Sequence, residues 1–200
     1  MTLTAWEAAA RLFEPDARSR WKTPLELGSY LDHRIKITSP LAMVNDLMTD
    51  AITGKSDRVI GVLAPQEGKT VCARYAALLA LHRNPELRIG VCSYGDRLAR
   101  RIPRWCRNDI KGFPQLGLRL APDQTAAHDW KLDNGIGGMY AAGYAGGWSG
   151  NPLDLLIVDD VFKDHRDAES EATRDAVWDW WTSAATARFG EGAAVIIINT

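Results

Sequence analysis

The sequence predicts an α/β fold in which a mainly parallel sheet is covered by helices on both faces. Two observations carry this prediction. Short apolar runs alternate with helical patterns along most of the chain, which is the order that builds parallel sheets. The 200 residues are 46% hydrophobic, enough for one sizeable core, and we find no linker that would divide them into two domains.

Composition excludes several classes of protein. The 24 Lys and Arg residues nearly balance the 25 Asp and Glu residues, so the chain is not a polycation that coats nucleic acid, although a local basic patch stays compatible. The three cysteines form no C-x-x-C pair, which indicates neither a disulfide framework nor a zinc site. We find no secretory signal and no apolar run of the ~18 residues that span a membrane, so no membrane contact is expected.

The N-terminal quarter is predicted to contain two helices with an irregular stretch between them. Thr4-Ala5-Trp6-Glu7 has the form of a capping box and predicts the first helix. Residues 14–38 are predicted to be irregular. Ser39-Pro40 supplies an N-cap and a first-turn proline, and apolar spacing predicts a helix over residues 40–53.

From residue 59 onward, predicted strands and helices alternate. A hairpin around Asn134-Gly135 joins residues 130–132 to 138–142, and Pro103 is expected to kink or break one helix. Eight tryptophans stand out, and we interpret those of Trp178-Asp179-Trp180-Trp181 mainly as packing against the sheet. The predicted strands are 59–63, 87–94, 153–158 and 193–198, and the predicted helices are 69–82, 96–110 and 168–188.

The segment 64–70 lies between a predicted strand and a predicted helix, which is the setting of a phosphate-binding loop. Backbone N–H groups at a helix N-terminus bind anions, Lys69 can reach nucleotide phosphates, and the Thr70 hydroxyl can ligate Mg²⁺. Leu63 stands where the full G-x-x-x-x-G-K-[ST] motif has its first glycine, and an ordinary turn with a solvated lysine is the alternative. The predicted phosphate-binding residues are Pro65, Gln66, Glu67, Gly68, Lys69 and Thr70.

A second motif is the apolar run Leu155–Val158, which ends in Asp159 and Asp160. Ligands of open α/β sheets bind at the carboxyl ends of strands, so these carboxylates can meet the phosphate loop there. Asp159 is predicted to hold Mg²⁺, and Asp160 to orient and activate an attacking water. The alternative is that the pair merely caps the next turn. Together, the two motifs predict a nucleotide site better than either does alone.

Two nearby features leave alternatives open. Asp164 and Asp167 could form a two-metal nuclease site with the acidic pair, although starting the next helix is their simpler role. The glycine-rich loop 143–150 fails the G-x-S-x-G pattern of serine hydrolases, because residue 151 is Asn. We interpret it as a flexible loop beside the sheet that could contact nucleotide or DNA.

Arginines are concentrated between residues 96 and 111. They follow i, i+3, i+4, i+7 spacing and would share a face if the helix survives Pro103. Such a face could hold DNA phosphates or supply charge to a neighbouring subunit's nucleotide, and a solvated helix face is at least as good an interpretation. These candidates are Arg97, Arg100, Arg101 and Arg104.

The motifs together resemble those of the large terminase subunit of tailed bacteriophages, a family of ATPase motors that drive DNA into capsids. The resemblance covers roughly residues 40–200 in the order of the family, and its most specific part is the run after the acidic strand. The matching stretches are 64–70, 91–94, 146–150, 153–164, 168–170, 177–181 and 188–189.

The resemblance implies an additional-strand P-loop NTPase fold of the RecA and terminase type, with ATP and Mg²⁺ as cofactors. Lys69 would be the Walker A lysine, Asp159 the Walker B acid and Asp160 the catalytic carboxylate. Asn199 and Thr200 would end the strand that couples hydrolysis to movement. The ATPase domain would be residues 39–200, after a helical or irregular extension over residues 1–38.

The resemblance also implies partners: double-stranded viral DNA, the small terminase subunit, the portal protein and further copies in a ring, in the host bacterial cytoplasm. Three departures matter: Asp160 replaces the Glu of many related motors, and Gln66 and Glu67 stand where many terminases carry an Arg. The third is that neither Arg-Trp-His nor a nuclease domain follows Thr200, so we expect a C-terminally incomplete ATPase domain without nuclease activity. The alternatives are an inactive prophage remnant or another P-loop DNA motor such as a helicase.

Overall fold

The computed structural model describes residues 20–148, 150 and 152–200. The helix predicted from Thr4 and the Ser149 position of the glycine-rich loop lie outside them. The strands are β1 (Arg58–Val62), β2 (Arg88–Ser93), β3 (Leu120–Thr125), β4 (Asp129–Leu132), β5 (Gly138–Gly143), β6 (Leu153–Asp159) and β7 (Phe189–Asn199).

These seven strands form one sheet in the spatial order β1-β7-β6-β2-β5-β4-β3. The pairs β1–β7, β7–β6, β6–β2 and β2–β5 are parallel, and β5–β4 and β4–β3 are antiparallel. The predicted hairpin is present, and its turn has Gly135 in the left-handed region at φ 73°. The mainly parallel α/β sheet predicted from the sequence is confirmed.

Helices flank this sheet, and the larger hydrophobic core lies between the sheet and the helix Lys69–Arg83. The helices are α1 (Pro24–Leu31), α2 (Ser39–Ile52), α3 (Lys69–Arg83), α4 (Asp96–Ala99), α5 (Arg101–Gly112), α6 (His165–Glu169) and α7 (Glu171–Asp179). Helix α3 is apolar nearly all round because α1, α2 and α5 pack against it, and Leu78 and Leu81 are fully buried.

The opposite face of the sheet carries a second, smaller core. Successive residues of a strand point to opposite faces, so Val91 enters the larger core while Cys92 enters the smaller one. The smaller core is rich in tryptophan, with the rings of Trp148 and Trp180 5.4 Å apart. Both faces are therefore covered, as the sequence predicts.

The prediction of one long helix over residues 168–188 is wrong. It is divided at Ser170, whose side chain accepts the N–H of Thr173 and caps α7. The chain then continues as a π-helical turn, Trp180–Ala185, and a 3₁₀ turn, Thr186–Arg188. The predicted core spacing therefore changes: Trp180 and Ala185 are buried, five residues apart, while Trp178 is 63% exposed.

Helix α1 and strand β3 were not predicted from the sequence. Residues 24–31 form α1 where irregular chain was expected, because Thr23 caps the N–H of Glu26 and Pro24 occupies the first turn. Strand β3 contains Pro122, which removes a backbone donor. Within the described part of the chain β3 pairs with β4 alone, so it lies at the sheet edge, where a proline is tolerated.

The helix predicted over residues 96–110 is interrupted, as Pro103 suggested, but the interruption lies at Arg100, which separates α4 from α5. A proline cannot donate to the carbonyl four residues earlier, here that of Ala99, and its ring crowds that carbonyl. Pro103 consequently falls in the first turn of α5, where a missing N–H costs little.

Candidate functional site

The phosphate loop joins β1 to α3 at the carboxyl edge of the sheet. Gly68 is the N-cap of α3 and adopts a left-handed φ of 85°, a conformation that glycine takes without strain. Gln66 is also left-handed, at φ 67°. No described side chain caps α3, so the N–H groups of its first turn stay available to an anion.

The acidic pair meets this loop across the sheet. The Thr70 hydroxyl lies 3.2 Å from an Asp159 carboxylate oxygen and donates to it. The Lys69 ammonium lies 3.3 Å from an Asp160 carboxylate oxygen. Strand β7 separates β1 from β6, so the contacts reach over one intervening strand end. The structure thus brings together the four residues that the two motifs contribute.

Burial dominates the electrostatics of the site. Asp159 is 3% exposed and Lys69 is 6% exposed. Burial raises the pKa of the Asp159 carboxyl to about 6, and the charge of Asp160 acts in the same direction. The Thr70 hydrogen bond and the charges of Lys69 and Arg101 lower that pKa. Asp159 is a carboxylate whose charge lacks full compensation in the free protein.

The end of β7 completes the site. The Thr200 hydroxyl accepts from the Lys69 ammonium and donates to an Asp160 carboxylate oxygen at 3.0 Å. The Asn199 carbonyl accepts the N–H of Leu63 at 3.2 Å, at the start of the phosphate loop. The two residues that the resemblance assigns to coupling therefore contact both the loop and the acidic strand end.

Strand β2 fixes Asp160 from the other side, a feature that the motifs did not identify. The Ser93 hydroxyl donates to the Asp160 carbonyl at 3.2 Å, and the Tyr94 N–H donates to the same oxygen at 3.1 Å. Asp160 itself has a φ of 47°, in the left-handed region. Adjacent apolar runs predict neighbouring strands, but nothing in the sequence predicts this particular contact.

The donor set fits Mg²⁺. A hydroxyl and a buried carboxylate lie side by side at Thr70 and Asp159, and Mg²⁺ in nucleotide sites takes few protein ligands beside phosphate oxygens and water. Among the described residues, no group of three or more His, Cys, Asp or Glu side chains is arranged to hold a metal ion. Asp164 instead caps α6 by accepting the N–H of Asp167.

A cleft of about 660 Å³ adjoins the loop. Its walls come from the loop itself and from the segment between α1 and α2. Thr38 also donates to the Glu67 carboxylate at 3.3 Å, which ties that segment to the loop. The lining includes Arg34, Lys36, Thr38, Gln66, Glu67 and Gly68.

The glycine-rich loop is anchored at several points. The Trp148 indole N–H donates to the Gly143 carbonyl at 2.7 Å, and its ring is buried in the smaller core. The Gly143 N–H in turn donates to the Asp96 carboxylate at 2.8 Å. These contacts hold the described part of the loop against the sheet and beside α4.

The four candidate arginines divide between two helices and the break. Arg97 lies in α4, Arg100 at the break, and Arg101 and Arg104 in α5. Arg100 forms an ion pair with Asp96 at 3.1 Å. The break removes the single helix from which a common face was predicted.

Comparison with known proteins gives a family and a fold. A family model described as "Terminase large subunit, T4likevirus-type, N-terminal" matches residues 60–191. The crystal structure of the HK97 bacteriophage large terminase is similar, with a TM-score of 0.56 and 18% sequence identity. That similarity covers 83% of this chain and 33% of the HK97 chain, so the chain spans about a third of that protein's length.

The comparison with curated proteins is negative. No curated protein matches the chain. Within the described ranges, every helix is too short or too polar to cross a membrane. The family match spans both the phosphate loop and the acidic strand end, and the similar structure has the same α/β fold. The chain belongs to the terminase large subunit family of the T4-like type, in the N-terminal region of that family.

Proposed function

We propose that this chain is the ATP-hydrolysing part of a motor that packages viral DNA into the capsid. One observation supports the proposal above all others: Lys69 and Thr70 of the uncapped α3 N-terminus directly face Asp160 and Asp159. A phosphate-binding helix end opposite two carboxylates at strand ends is the arrangement that nucleotide hydrolysis requires.

Each residue of the site has a role in this proposal. The N–H groups of residues 66–70 and the Lys69 ammonium bind the phosphates of ATP, and the cleft beside Glu67 takes the nucleoside. Thr70 and Asp159 hold Mg²⁺, which neutralises charge that develops on the phosphates. Asp160 accepts a hydrogen bond from the attacking water and orients it towards the γ-phosphate.

Lys69 must change partner when nucleotide binds. In the free protein its ammonium is held by Asp160 and Thr200. A γ-phosphate near Lys69 competes for the ammonium and frees the Asp160 carboxylate for water. Thr200 contacts both side chains, so the end of β7 experiences this exchange directly and is suited to transmit it.

The proposed partners follow from the family. They are double-stranded viral DNA, the small terminase subunit, the portal protein and further copies of the chain in a ring, acting in the cytoplasm of the bacterial host. The candidates for DNA contact are Arg97, Arg100, Arg101 and Arg104, since exposed arginines gain affinity by releasing counterions from phosphates. The near-zero net charge makes any such contact local.

The first test is steady-state ATP hydrolysis with Mg²⁺. We expect Lys69→Ala and Asp160→Asn each to lower turnover at least about 100-fold, because each removes charge or water positioning at the reacting phosphate. Lys131→Ala, an exposed lysine distant from the loop, is the matched control and should hydrolyse ATP at the parent rate. Parent-level turnover by Lys69→Ala would overturn the assignment of the site.

Assays of ATP turnover and of strand separation together distinguish the alternatives. An inactive remnant predicts no turnover in the parent or in Asp160→Asn. A helicase predicts strand separation coupled to turnover, whereas a packaging motor moves along duplex DNA without separating it.

A further inference from the structure

Strand β1 lies at one edge of the sheet. Within the described residues it pairs with β7 alone, which leaves its outer side unpaired. The Asp57 carbonyl and the Leu63 N–H both bond to β7, so every second residue of this stretch directs its backbone groups towards β7. The N–H and C=O groups of Ile60 and Val62 therefore point outward, away from the sheet.

Apolar side chains are exposed on both faces of the sheet beside this edge. On the face of the smaller core, Ile60 is 66% exposed and Val62 is 67% exposed. Ile60 lies level with Ile197, which packs against the smaller core, so the apolar surface of that face continues to the sheet edge. On the opposite face, α2 exposes Met43 and Leu47. A groove of about 360 Å³ between α2 and β1 is lined by all four exposed side chains.

The edge lacks the features that protect sheet edges from further pairing. Strand β1 contains no proline, and its pairing with β7 contains no bulge. Its one charged residue, Arg58, is turned back over the sheet. The Arg58 guanidinium donates to the Ala193 carbonyl at 2.6 Å and lies 5.2 Å from the centre of the Phe189 ring. Exposed apolar side chains and outward backbone groups together form a surface that accepts another strand.

The edge is also its own complement. Ile60 is the midpoint of β1, and its outward N–H and C=O can pair with those of the same residue in a second copy that runs antiparallel. Arg58 then lies opposite Val62 of the second copy, so outward residues of one strand meet outward residues of the other. The two-fold axis is perpendicular to the sheet and keeps both α2 helices on one face, which brings Met43 and Leu47 of the two copies together.

We propose that β1 is a dimer interface, in which two copies of this chain join their sheets through antiparallel β1 strands centred on Ile60. Burial of the exposed apolar side chains on both faces stabilises the contact, and the outward backbone groups fix its register. The contact is isologous and closes at two copies, so it is distinct from the heterologous contacts of a ring. It goes beyond the proposed function and does not depend on nucleotide binding.

The first test is sedimentation velocity of the full chain over a concentration series. We expect the parent to dimerise, and the double variant Ile60→Lys, Val62→Lys to dimerise at least about 10-fold more weakly, because the two-fold axis places like charges together. Ile136→Lys, at an exposed isoleucine outside β1, is the matched control and should dimerise as the parent does. Circular dichroism checks that each variant keeps the parent fold.

Cysteine crosslinking under mild oxidation tests the register, and the three native cysteines are buried. Ile60→Cys should crosslink to itself between copies, because the opposed Cα atoms lie about 5.5 Å apart, within the range of a disulfide. Val62→Cys should not crosslink to itself, since about 14 Å of strand separates the two copies of that residue. It should crosslink to Arg58→Cys when the two variants are mixed.

Three results would overturn the inference. The first is a parent chain that stays monomeric throughout the concentration series. The second is a dimer that the two lysines do not weaken. The third is a dimer in which Val62→Cys crosslinks to itself and Ile60→Cys does not. Each of these results leaves the proposed function intact, because ATP hydrolysis is measured separately from dimerisation.

Discussion

Asp159 lies in surroundings unlike those of an exposed aspartate. It is 3% exposed, hydrogen-bonded by Thr70 and adjacent to a second carboxylate. Burial and that neighbour raise its pKa to about 6. In the free protein its negative charge opposes folding, and a bound Mg²⁺ would offset that cost. The site therefore gains affinity for a cation at the expense of stability.

The pH dependence of stability follows from this shift. The folded state holds the Asp159 proton more tightly than the unfolded chain does, so the destabilisation is present above about pH 6 and absent below about pH 4. A rise from 3.8 to about 6 corresponds to at most about 3 kcal/mol. We expect metal-free Asp159→Asn to unfold with a free energy higher by up to that amount near neutral pH, with the gain vanishing towards acid.

Urea denaturation with a chelator, over a series of pH values, measures this effect. Asp123→Asn, at an exposed aspartate, is the control and should match the parent at every pH. A loss of stability in Asp159→Asn near neutral pH, or a gain that does not change with pH, would contradict the electrostatic account.

At the scale of elements, the pairing of α3 with α5 positions the site. The pair between Arg74 and Asp109 is mostly buried, with 6% of the Asp109 side chain exposed. Replacing one partner leaves the other charge buried without compensation. We expect Asp109→Asn to lower the free energy of unfolding by about 3 kcal/mol, measured by urea denaturation. An effect below about 0.5 kcal/mol, typical of exposed pairs, would contradict this role.

The antiparallel end of the sheet depends on a close backbone approach at Gly138. A Cβ placed there would lie 2.2 Å from the Trp130 carbonyl oxygen of the neighbouring strand. Since backbone cannot yield as a flexible side chain does, we expect Gly138→Ala to lower the thermal midpoint by at least about 5 °C. Gly112→Ala, where a Cβ would meet no atom within 4 Å, is the control. Equal midpoints for the two variants would refute the close approach.

Local signals located most of these elements but not their divisions. Apolar runs bounded by turn residues predicted β1, β2, β6 and β7, because a buried parallel strand needs only a short continuous run. The Ser170 cap within residues 168–188 was missed, since apolar spacing continues across it. Strand β3 was missed because Pro122 disfavours a strand everywhere except at an edge, and an edge is a property of the whole sheet.

The candidate site was predictable to a similar extent. Lys69, Thr70, Asp159 and Asp160 could be selected because a phosphate loop and a strand-end acid occupy the same edge of any such sheet. The hydrogen bonds from Ser93 and Tyr94 to the Asp160 carbonyl could not be selected in this way. They depend on which strands become neighbours in the sheet, and local spacing does not carry that order.

At the scale of the whole molecule, the sheet separates two hydrophobic cores and carries the candidate site at the carboxyl ends of its parallel strands. The larger core supports α3 and its phosphate-binding N-terminus, and the tryptophan-rich core supports β6 and β7 from the opposite face. Strand β7 runs from Phe189, whose ring is 5.9 Å from that of Trp181, to the segment that contacts the site. A single strand therefore connects the site with the tryptophan-rich core.

The central claim is that the phosphate loop binds Mg·ATP. Isothermal titration calorimetry of the parent chain and Lys69→Ala, with Mg²⁺ and with chelator, tests it most directly. We predict one ATP site per chain that needs Mg²⁺ for full affinity and is weakened at least about 10-fold by Lys69→Ala. No binding by the parent, or binding that neither Lys69→Ala nor removal of Mg²⁺ changes, would contradict the account.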